Sequence, residues 1–504
     1  MSKRQSYLLT ILLALIIALP IKSLAGDIDE ASIRKNLPDL LGANNVGKEF
    51  YFSVPPCFED ESYGYDNFIK IFVTSAVKTL VKLEIPGIPY YKSSMSIPND
   101  VICFDLKPAD ASPFTKSGRE NEYPEQVWTG RGIHITADFP LVVYCIIRYR
   151  ATSDGFLALP VSSLGKEYIA APYNTDPMFR AIWNYKLPSM SGVTAAYNDT
   201  KVKFIVGGNY ASETAGGKKP GQSIDVTMQA GDVLMVSSRG DMGDLAGSKI
   251  IATKPVSVVS GNQCNNIPAG NQWCDYCVEQ DMPTFAWGKD YHVCSIPVPK
   301  RKWPSLIRIF AKEPNTNVFR DGKQVLTLKQ AGGIIGDAYM EMRVTPMDQT
   351  QRPVVYSGNK PINVVLYNTG VAEDGYPLPN SDPFWMAMTP IQQYQKEITF
   401  CTPAVQGGLR FSENYLNLVY EMDENLMMPP DMEFAQVFGG QFEWIPIRTK
   451  FQSIDPEFTY DLNGKHYAQK TITLNDDGVY KIRASRPFAA YSFGYDWCDS
   501  YGYP

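Results

Sequence analysis

The stretch Lys254-Pro255-Val256-Ser257-Val258-Val259 decides the fold, because its pattern recurs three more times along the chain. Each copy places a proline before an apolar run rich in residues that favour strands. The other copies are Phe139-Pro140-Leu141-Val142-Val143-Tyr144, Lys360-Pro361-Ile362-Asn363-Val364-Val365 and Arg486-Pro487-Phe488-Ala489-Ala490-Tyr491. Because proline fixes φ and lacks an amide hydrogen, it suits the first residue or the edge of a strand. The pattern therefore predicts a structural repeat in which each proline precedes the last strand of its unit.

A second pattern marks the start of each repeat. Gly165-Lys166-Glu167-Tyr168 follows Pro160, and Gly288-Lys289-Asp290-Tyr291 follows Pro283. The remaining copies are Gln395-Lys396-Glu397-Ile398, which follows Pro390, and Gly47-Lys48-Glu49-Phe50, which has no preceding proline. Wherever the proline is present, the lysine stands six residues after it. Two linked patterns at matched spacing divide the chain into units 47–164, 165–287, 288–394 and 395–504.

Each unit has the size and the strand signals of a small β-sandwich. In 165–287, short β-rich runs alternate with turn signals such as Asn198-Asp199-Thr200. We therefore expect an all-β fold of four tandem β-sandwich-like units. A β-propeller with two blades per repeat is the alternative architecture. The prolines between units limit backbone freedom, which favours a fixed orientation of one unit against the next.

The N-terminal segment is typical of a secretory signal peptide. Lys3 and Arg4 precede an apolar run over 8–18, and the segment ends with Ser23-Leu24-Ala25. The run is shorter than the ~20 residues that span a bilayer as a helix. We predict a signal peptide over 1–25 and a lead segment over 26–46. The mature chain is then expected outside the cell, secreted or held at the cell surface, with no membrane span.

The charge balance excludes some partners. The 504 residues include 47 Lys and Arg against 53 Asp and Glu, a net charge of −6. An acidic surface repels nucleic-acid phosphates and anionic membranes, so we expect neither as a partner.

No pattern of catalytic residues stands out. The sequence has no Gly-x-Ser-x-Gly elbow, no His-Glu-x-x-His and no phosphate-binding loop, and its three histidines fall in different units. We predict no catalytic residue, no metal site and no cofactor. A polysaccharide-active enzyme or its accessory module stays open as an alternative, because paired carboxylates leave no sequence motif. A self-assembling structural protein of the cell envelope is the second alternative.

Three segments carry a family resemblance. They are 152–161, 244–250 and the stretch from Lys254 through Ser260-Gly261-Asn262-Gln263-Cys264 to Trp287-Gly288-Lys289. On these residues the chain resembles the IgGFc-binding protein N-terminal domain family. The resemblance implies a non-enzymatic binding or adhesion role outside the cell, directed at an extracellular protein or glycan.

The nine cysteines are expected to form disulfides in an oxidising compartment. The family pattern aligns with Cys264 and Cys274, which fits a disulfide that closes a short loop. A zinc site is the alternative there, because Cys274 and Cys277 have a spacing seen in zinc ligands. Further candidate pairs follow from position in strand-like runs: Cys277 with Cys294, Cys103 with Cys145, and Cys401 with Cys498.

Aromatic residues after the last strands are candidates for ligand contact. Phe156, Tyr376 and Tyr501 stand at comparable positions in units one, three and four. Aromatic side chains in loops offer a large contact area at low entropic cost. The alternative is that these rings pack at the junctions between units.

Overall fold

The computed structural model describes residues 45–60, 67–115, 123–149, 152–270, 273–294, 296, 304–344, 353–370, 382–404, 410–451, 456, 458–497 and 499–504. These residues belong to one compact body, Asp39–Pro504. The predicted signal peptide and the predicted lead segment up to residue 44 lie outside the described ranges.

The described residues form four antiparallel sheets, and the predicted all-β fold class is confirmed. The strands of the first unit are β1 (Gly47–Phe52), β2 (Ile69–Thr74), β3 (Leu80–Ile85), β4 (Tyr90–Met95), β5 (Val101–Leu106), β6 (Gln126–Trp128), β7 (Ile133–Arg148) and β8 (Ser153–Leu157). Those of the second are β9 (Gly165–Ile169), β10 (Ser189–Ala195), β11 (Thr200–Ile205), β12 (Ser223–Met228), β13 (Val233–Ser237), β14 (Lys249–Asn265) and β15 (Asp275–Gln280).

The other two units repeat this plan. The third contains β16 (Gly288–Val293), β17 (Leu306–Ala311), β18 (Thr316–Arg320), β19 (Lys323–Leu328), β20 (Tyr339–Arg343), β21 (Val354–Tyr367) and β22 (Trp385–Ala387). The fourth contains β23 (Gln395–Cys401), β24 (Glu413–Glu421), β25 (Glu433–Val437), β26 (Ile445–Pro446), β27 (Phe458–Leu462), β28 (Lys465–Leu474), β29 (Val479–Asp496) and β30 (Asp499–Tyr503). β6 pairs with β13, so a strand of the first unit extends the sheet of the second.

Helical structure is limited to single turns in the described residues. Three short 3-10 turns follow the prolines that join the units: Val161–Ser163, Thr284–Ala286 and Ile391–Gln393. The remaining turns are Pro108–Ala111, Phe179–Trp183 and Ile447–Lys450. None of the described helices has the length and apolarity needed to cross a bilayer.

One long strand in each unit belongs to both layers of a two-layered structure. The first half of β14 pairs with β9 and β11, and its second half pairs with β10 and β15. Side chains from both halves meet in one apolar core. β7, β21 and β29 divide their partners in the same way. Because the long strand is shared, each repeat forms one two-layered sheet and not the two separate blades of the alternative propeller.

The repeated proline lies inside this long strand and not before the last strand, which corrects the prediction from sequence. Gly165 pairs with Val256 and Glu167 with Ile251, so the β14 residues between these pairs, including Pro255, form a bulge. The other three units show the same shift in register at the same place. A proline at a bulge removes no ladder hydrogen bond, and it helps the strand to pass from one layer to the other.

The tyrosine of the Gly-Lys-acid-Tyr pattern links the first strand of its unit to the long strand next to the bulge. The Tyr168 hydroxyl accepts a hydrogen bond from Gly165 N (2.8 Å) and donates one to Val256 O (2.6 Å). In the third unit the Tyr291 hydroxyl makes the same two contacts, with Gly288 N (3.1 Å) and the carbonyl of Ile362 (2.6 Å). The recurring sequence Gly-Lys-acid-Tyr is thus a local device that closes the sandwich.

The four units close into a ring around their last strands. β8 contacts β15, β15 contacts β22, β22 contacts β30, and β30 contacts β8. Apolar clusters continue across each junction; the one between units four and one includes Tyr144, Leu418 and Tyr503. The Tyr144 hydroxyl of unit one also donates a hydrogen bond to Thr399 O of unit four (2.9 Å). Every unit therefore contacts two neighbouring units, and these cover its last strand, β8, β15, β22 or β30, at the centre of the ring.

Candidate functional site

The predicted contact residues Phe156 and Tyr501 lie in the protein interior. Both side chains are buried; Phe156 packs edge-on against Phe52, and Tyr501 against Phe411. They lie on the central strands β8 and β30, which the neighbouring units cover, and not in exposed loops. Their proposed role in ligand contact is therefore wrong. Tyr376 lies outside the described residues.

The structure joins Cys264 and Cys274 in a disulfide with a Cα–Cα distance of 5.2 Å. Cys264 belongs to β14, and Cys274 immediately precedes β15, so the bond closes the loop between two paired strands. No group of three or more His, Cys, Asp or Glu in the described part of the chain is arranged to hold a metal ion.

The predicted pair of Cys103 and Cys145 is not formed, because β2 lies between the two strands that carry them. Cys103 pairs with Phe72 and Cys145 with Ile71. Adjacent residues of one strand point to opposite faces, so the two thiols lie on opposite sides of the sheet. Two strand spacings, about 10 Å, also exceed the Cα–Cα reach of a disulfide.

The predicted pair of Cys277 and Cys294 is not formed either. Both thiols are free and buried, and they belong to different apolar clusters, Cys277 at the junction of units two and three and Cys294 in the third unit. The Cys277 thiol donates to Pro383 O instead (3.6 Å). Cys401 is free and buried, and Cys498 lies outside the described residues.

An apolar cavity of about 530 Å³ opens beside the disulfide, and we call it the disulfide pocket. Its wall is mostly aromatic and aliphatic, and the polar groups of its lining residues are the Asn266 amide, the Tyr185 hydroxyl and the Trp273 indole N–H. The lining residues are Phe58, Met178, Phe179, Ile182, Tyr185, Leu187, Asn266, Trp273 and Cys274. Its size falls in the range of ordinary ligand-binding cavities.

Several elements of two units hold this wall in place. Phe58 comes from the first unit, where its amide donates to Gln263 O at 3.1 Å, and its ring packs 5.2 Å from that of Tyr185. The short turn Phe179–Trp183 carries the facing apolar side chains. The disulfide fixes the chain next to Trp273. The pocket is therefore built on anchored backbone.

Two apolar side chains at the pocket remain open to solvent. Ile182 is 60% exposed and Trp273 is 40% exposed. Trp273 also has a φ of 68°, in the left-handed region that a large side chain adopts only when its surroundings enforce it. Exposed apolar groups on a fixed backbone are typical of surfaces that another molecule covers.

One buried polar atom of a residue that lines the pocket has no hydrogen-bond partner among the described residues. Asn266 is buried, and its Nδ2 donates to Asp176 Oδ2 at 2.7 Å, which fixes the orientation of the amide. The same carboxylate accepts from Gly270 N (2.8 Å) and Met178 N (2.8 Å). Asn266 Oδ1 accepts no hydrogen bond within the described residues. An unsatisfied buried acceptor costs about 1–3 kcal/mol, which a bound donor would recover.

The sequence contained a partial signal for this site. Met178, Phe179 and Ile182 are apolar but do not alternate as in a strand, and Trp273 adjoins a cysteine of the family pattern. These features are typical of an irregular segment with apolar side chains. They could not show that Phe58, far away in the chain, completes the wall.

Two buried carboxylates make structural contacts, Glu279 between units two and three and Asp281 within unit two. Glu279 Oε2 accepts from Ala387 N of the third unit (3.2 Å), and burial raises the pKa of Glu279 to about 8. Asp281 accepts from Ser260 Oγ (2.5 Å) and Ala171 N (3.1 Å), and burial raises its pKa to about 7. These groups cross-link strands, which is a structural role.

Comparison with known proteins adds the family. A family model described as IgGFc binding protein matches residues 154–494, from the last strand of unit one to the long strand of unit four. The chain belongs to the IgGFc-binding protein family. The resemblance inferred from the sequence is thereby confirmed, and the matched range includes every lining residue of the disulfide pocket except Phe58.

A curated relative is the IgGFc-binding protein of Homo sapiens. It is 27% identical over 238 residues, which cover 47% of this chain. The same alignment covers 4% of the human protein, so the chain corresponds to a small part of that relative. The family membership supports a binding protein and not an enzyme.

Proposed function

We propose that this chain is an exported, non-catalytic binding protein that recognises an extracellular protein partner through the disulfide pocket. The observation that carries the proposal is the open apolar cavity with Ile182 and Trp273 exposed beside it. Membership in a family of binding proteins and the signal-like N-terminal sequence support it. A glycan suits this pocket poorly, because a sugar needs several polar groups and the wall is mostly apolar.

The chemistry of the wall indicates what it would accept. An aromatic partner side chain with one hydrogen-bond donor could bury its ring against Phe179 and Leu187 and donate to Asn266 Oδ1. Tryptophan and tyrosine combine a large apolar surface with a single donor, and they dominate the energetics of protein interfaces. Trp273 and Ile182 would then shield that hydrogen bond from water.

The test is an array of purified extracellular proteins, including IgG Fc and mucins, probed with the mature chain. We expect at least one array protein to bind, and the double variant Ile182→Ser/Trp273→Ser to weaken that binding at least tenfold. The control is Phe438→Ser, which removes an apolar side chain that is 68% exposed and lies outside the pocket. Absence of any binding, or equal binding by the double variant, would overturn the proposal.

A pair of small probes tests the lone acceptor directly. Indole and benzofuran have nearly the same shape, but benzofuran lacks the N–H donor. If Asn266 Oδ1 accepts a hydrogen bond from the ligand, indole should bind about tenfold more tightly than benzofuran, a difference in binding free energy of about 1.4 kcal/mol. Calorimetry with the mature chain measures both affinities, and equal values would contradict a role for the amide.

A further inference from the structure

A second cavity, of about 570 Å³, lies between units two and three, and we call it the Tyr210 pocket. Part of its wall comes from the end of β11 and the loop after it, including Tyr210 and Lys219. The rest comes from Lys249 on β14 and the glycine-rich loop Gln330, Gly332 and Gly333 of the third unit. It differs from the disulfide pocket in both position and chemistry.

Backbone hydrogen bonds next to this cavity join the two units. Ile335, which follows the lining residue Ile334, donates its N–H to Gly208 O (2.9 Å), and the lining residue Gly333 donates its N–H to Gly247 O (2.8 Å). An added Cβ at Gly247 would lie 2.3 Å from Gly333 O, so the close approach requires glycine. A preformed wall lowers the ordering cost of binding.

The side chains at the pocket combine an aromatic ring with polar groups. Tyr210 is 82% exposed and offers a flat face with a hydroxyl at its edge. Gln330 adds an amide, and Lys219 and Lys249 add ammonium groups. Lys249 is paired with Glu167 (2.6 Å), whereas Lys219 has no acidic partner among the described residues. None of the described residues that line the cavity carries a carboxylate, although the whole chain carries a net charge of −6.

From this combination we infer that the Tyr210 pocket binds a carboxylated sugar. The apolar face of a sugar ring would stack on Tyr210, the sugar carboxylate would pair with Lys219, and hydroxyls would bind Gln330. A neutral sugar would leave the Lys219 charge unused, and a purely apolar ligand would leave the amide unsatisfied. Sialic acid and glucuronic acid share the required chemistry. The inference goes beyond the proposed function, because it names a different site and a different class of ligand.

Titration of the mature full-length chain tests the inference. The probes are sialyllactose and a hyaluronan tetrasaccharide, compared with lactose and with the methyl esters of both acidic sugars. We expect one or both acidic sugars to bind at least tenfold more tightly than its ester, with an affinity that falls as salt increases. The arm that binds distinguishes a sialic acid from a uronic acid. No binding of either acid, or equal binding of acid and ester, would overturn the inference.

Variants locate the sugar within the molecule. Tyr210→Ser should weaken binding of the acidic sugar at least tenfold, and Lys219→Gln should weaken it and reduce its salt dependence. Tyr197→Ser and Lys203→Gln are matched controls on the same unit, outside the cavity, and should bind as the wild type does. Unchanged affinity in Tyr210→Ser would overturn the assignment.

The two sites can fail independently. Ile182→Ser/Trp273→Ser should leave sugar binding unchanged, and Tyr210→Ser should leave protein binding unchanged. Loss of sugar binding in the disulfide-pocket variant would show that the sugar sits there, which would contradict the inference.

Discussion

The first residue of units one to three is a glycine, and its lack of a side chain leaves room for the proline that leads into the next unit. At Gly47, Gly165 and Gly288, an added Cβ would lie 2.2, 2.4 and 2.4 Å from the Cβ of a proline. Those prolines, Pro160, Pro283 and Pro390, end the same units and lead into the next ones. In the fourth unit Gln395, and not a glycine, occupies the equivalent position. Glycine is thus required where a join proline covers the strand.

Replacing one of these glycines should therefore destabilise the protein. Gly165→Ala places a methyl group against the Pro283 ring, and we expect the free energy of unfolding to fall by about 1–3 kcal/mol, as for other overpacked sites. Gln395→Ala is the matched control, with an expected change within about 0.5 kcal/mol. Urea unfolding of both variants gives the comparison. An unchanged urea midpoint for Gly165→Ala would show that Pro283 can move away from residue 165 without loss of stability.

At the scale of elements, the sequence specified more about each unit than about the contacts between units. The repeated proline marked the long strand correctly, because a β-rich run follows it in every copy. The sequence did not show that one strand continues across the proline, so Pro255 was placed at a strand's start and not at its bulge. The bulge depends on pairing with β9, about ninety residues away, which local propensity does not encode.

The candidate sites show the same limit. The pairing of Cys264 with Cys274 came from a resemblance and lies within a short loop. Phe156 and Tyr501 were placed in exposed loops because aromatic residues near turns suggest recognition. Their burial results from β8 and β30 lying at the centre of the ring, which only the packing of the four units reveals.

The packing of β16 against β28 should make the stability of the protein depend on pH. His292 is buried there, its ring stacks 4.8 Å from that of Tyr460, and its Nε2 lies 3.1 Å from Gln469 Oε1. Burial lowers the pKa of His292 to about 4. In the unfolded chain the pKa is about 6.5, so between these values only the unfolded state binds the proton. The contribution of His292 to stability is thus complete above pH 6.5 and is lost as the pH falls towards 4.

The expected loss over this window is about 3 kcal/mol, and a comparison of variants isolates it from other titrating groups. The difference in unfolding free energy between wild type and His292→Gln should shrink by that amount between pH 7 and pH 4. The difference in unfolding free energy between wild type and Tyr460→Phe should stay constant over this pH range, because neither tyrosine nor phenylalanine titrates between pH 4 and pH 7. A constant difference for His292→Gln would contradict a buried, neutral imidazole.

At the scale of the whole molecule, polar contacts at the centre link units that are distant in sequence. The Asp275 carboxylate accepts hydrogen bonds from Thr152 Oγ1 (2.6 Å) and Ser153 N (2.9 Å) of the first unit, and from Ser500 N (3.1 Å) of the fourth. One side chain of the second unit therefore joins three units. Contacts of this kind demand a single relative position of the units, so the ring should behave as one body in binding.

Arg148 makes a buried ion pair at the junction between units four and one, where the ring closes. Its guanidinium is buried, pairs with Asp499 and with Asp496 (3.0 Å), and lies 4.3 Å from the ring of Phe411. Arg148→Met would leave the buried Asp499 without its cation, and removal of one partner of a buried pair typically costs about 3–5 kcal/mol. Addition of Asp499→Asn should recover part of that loss, because the remaining group is then neutral.

The matched control for Arg148→Met is Arg410→Met. The Arg410 side chain is 80% exposed and lies 3.9 Å from Asp477, so its removal should lower the free energy of unfolding by less than about 1 kcal/mol. Thermal and urea unfolding measure all three variants, and equal stabilities of Arg148→Met and Arg410→Met would show that ring closure does not depend on this buried ion pair.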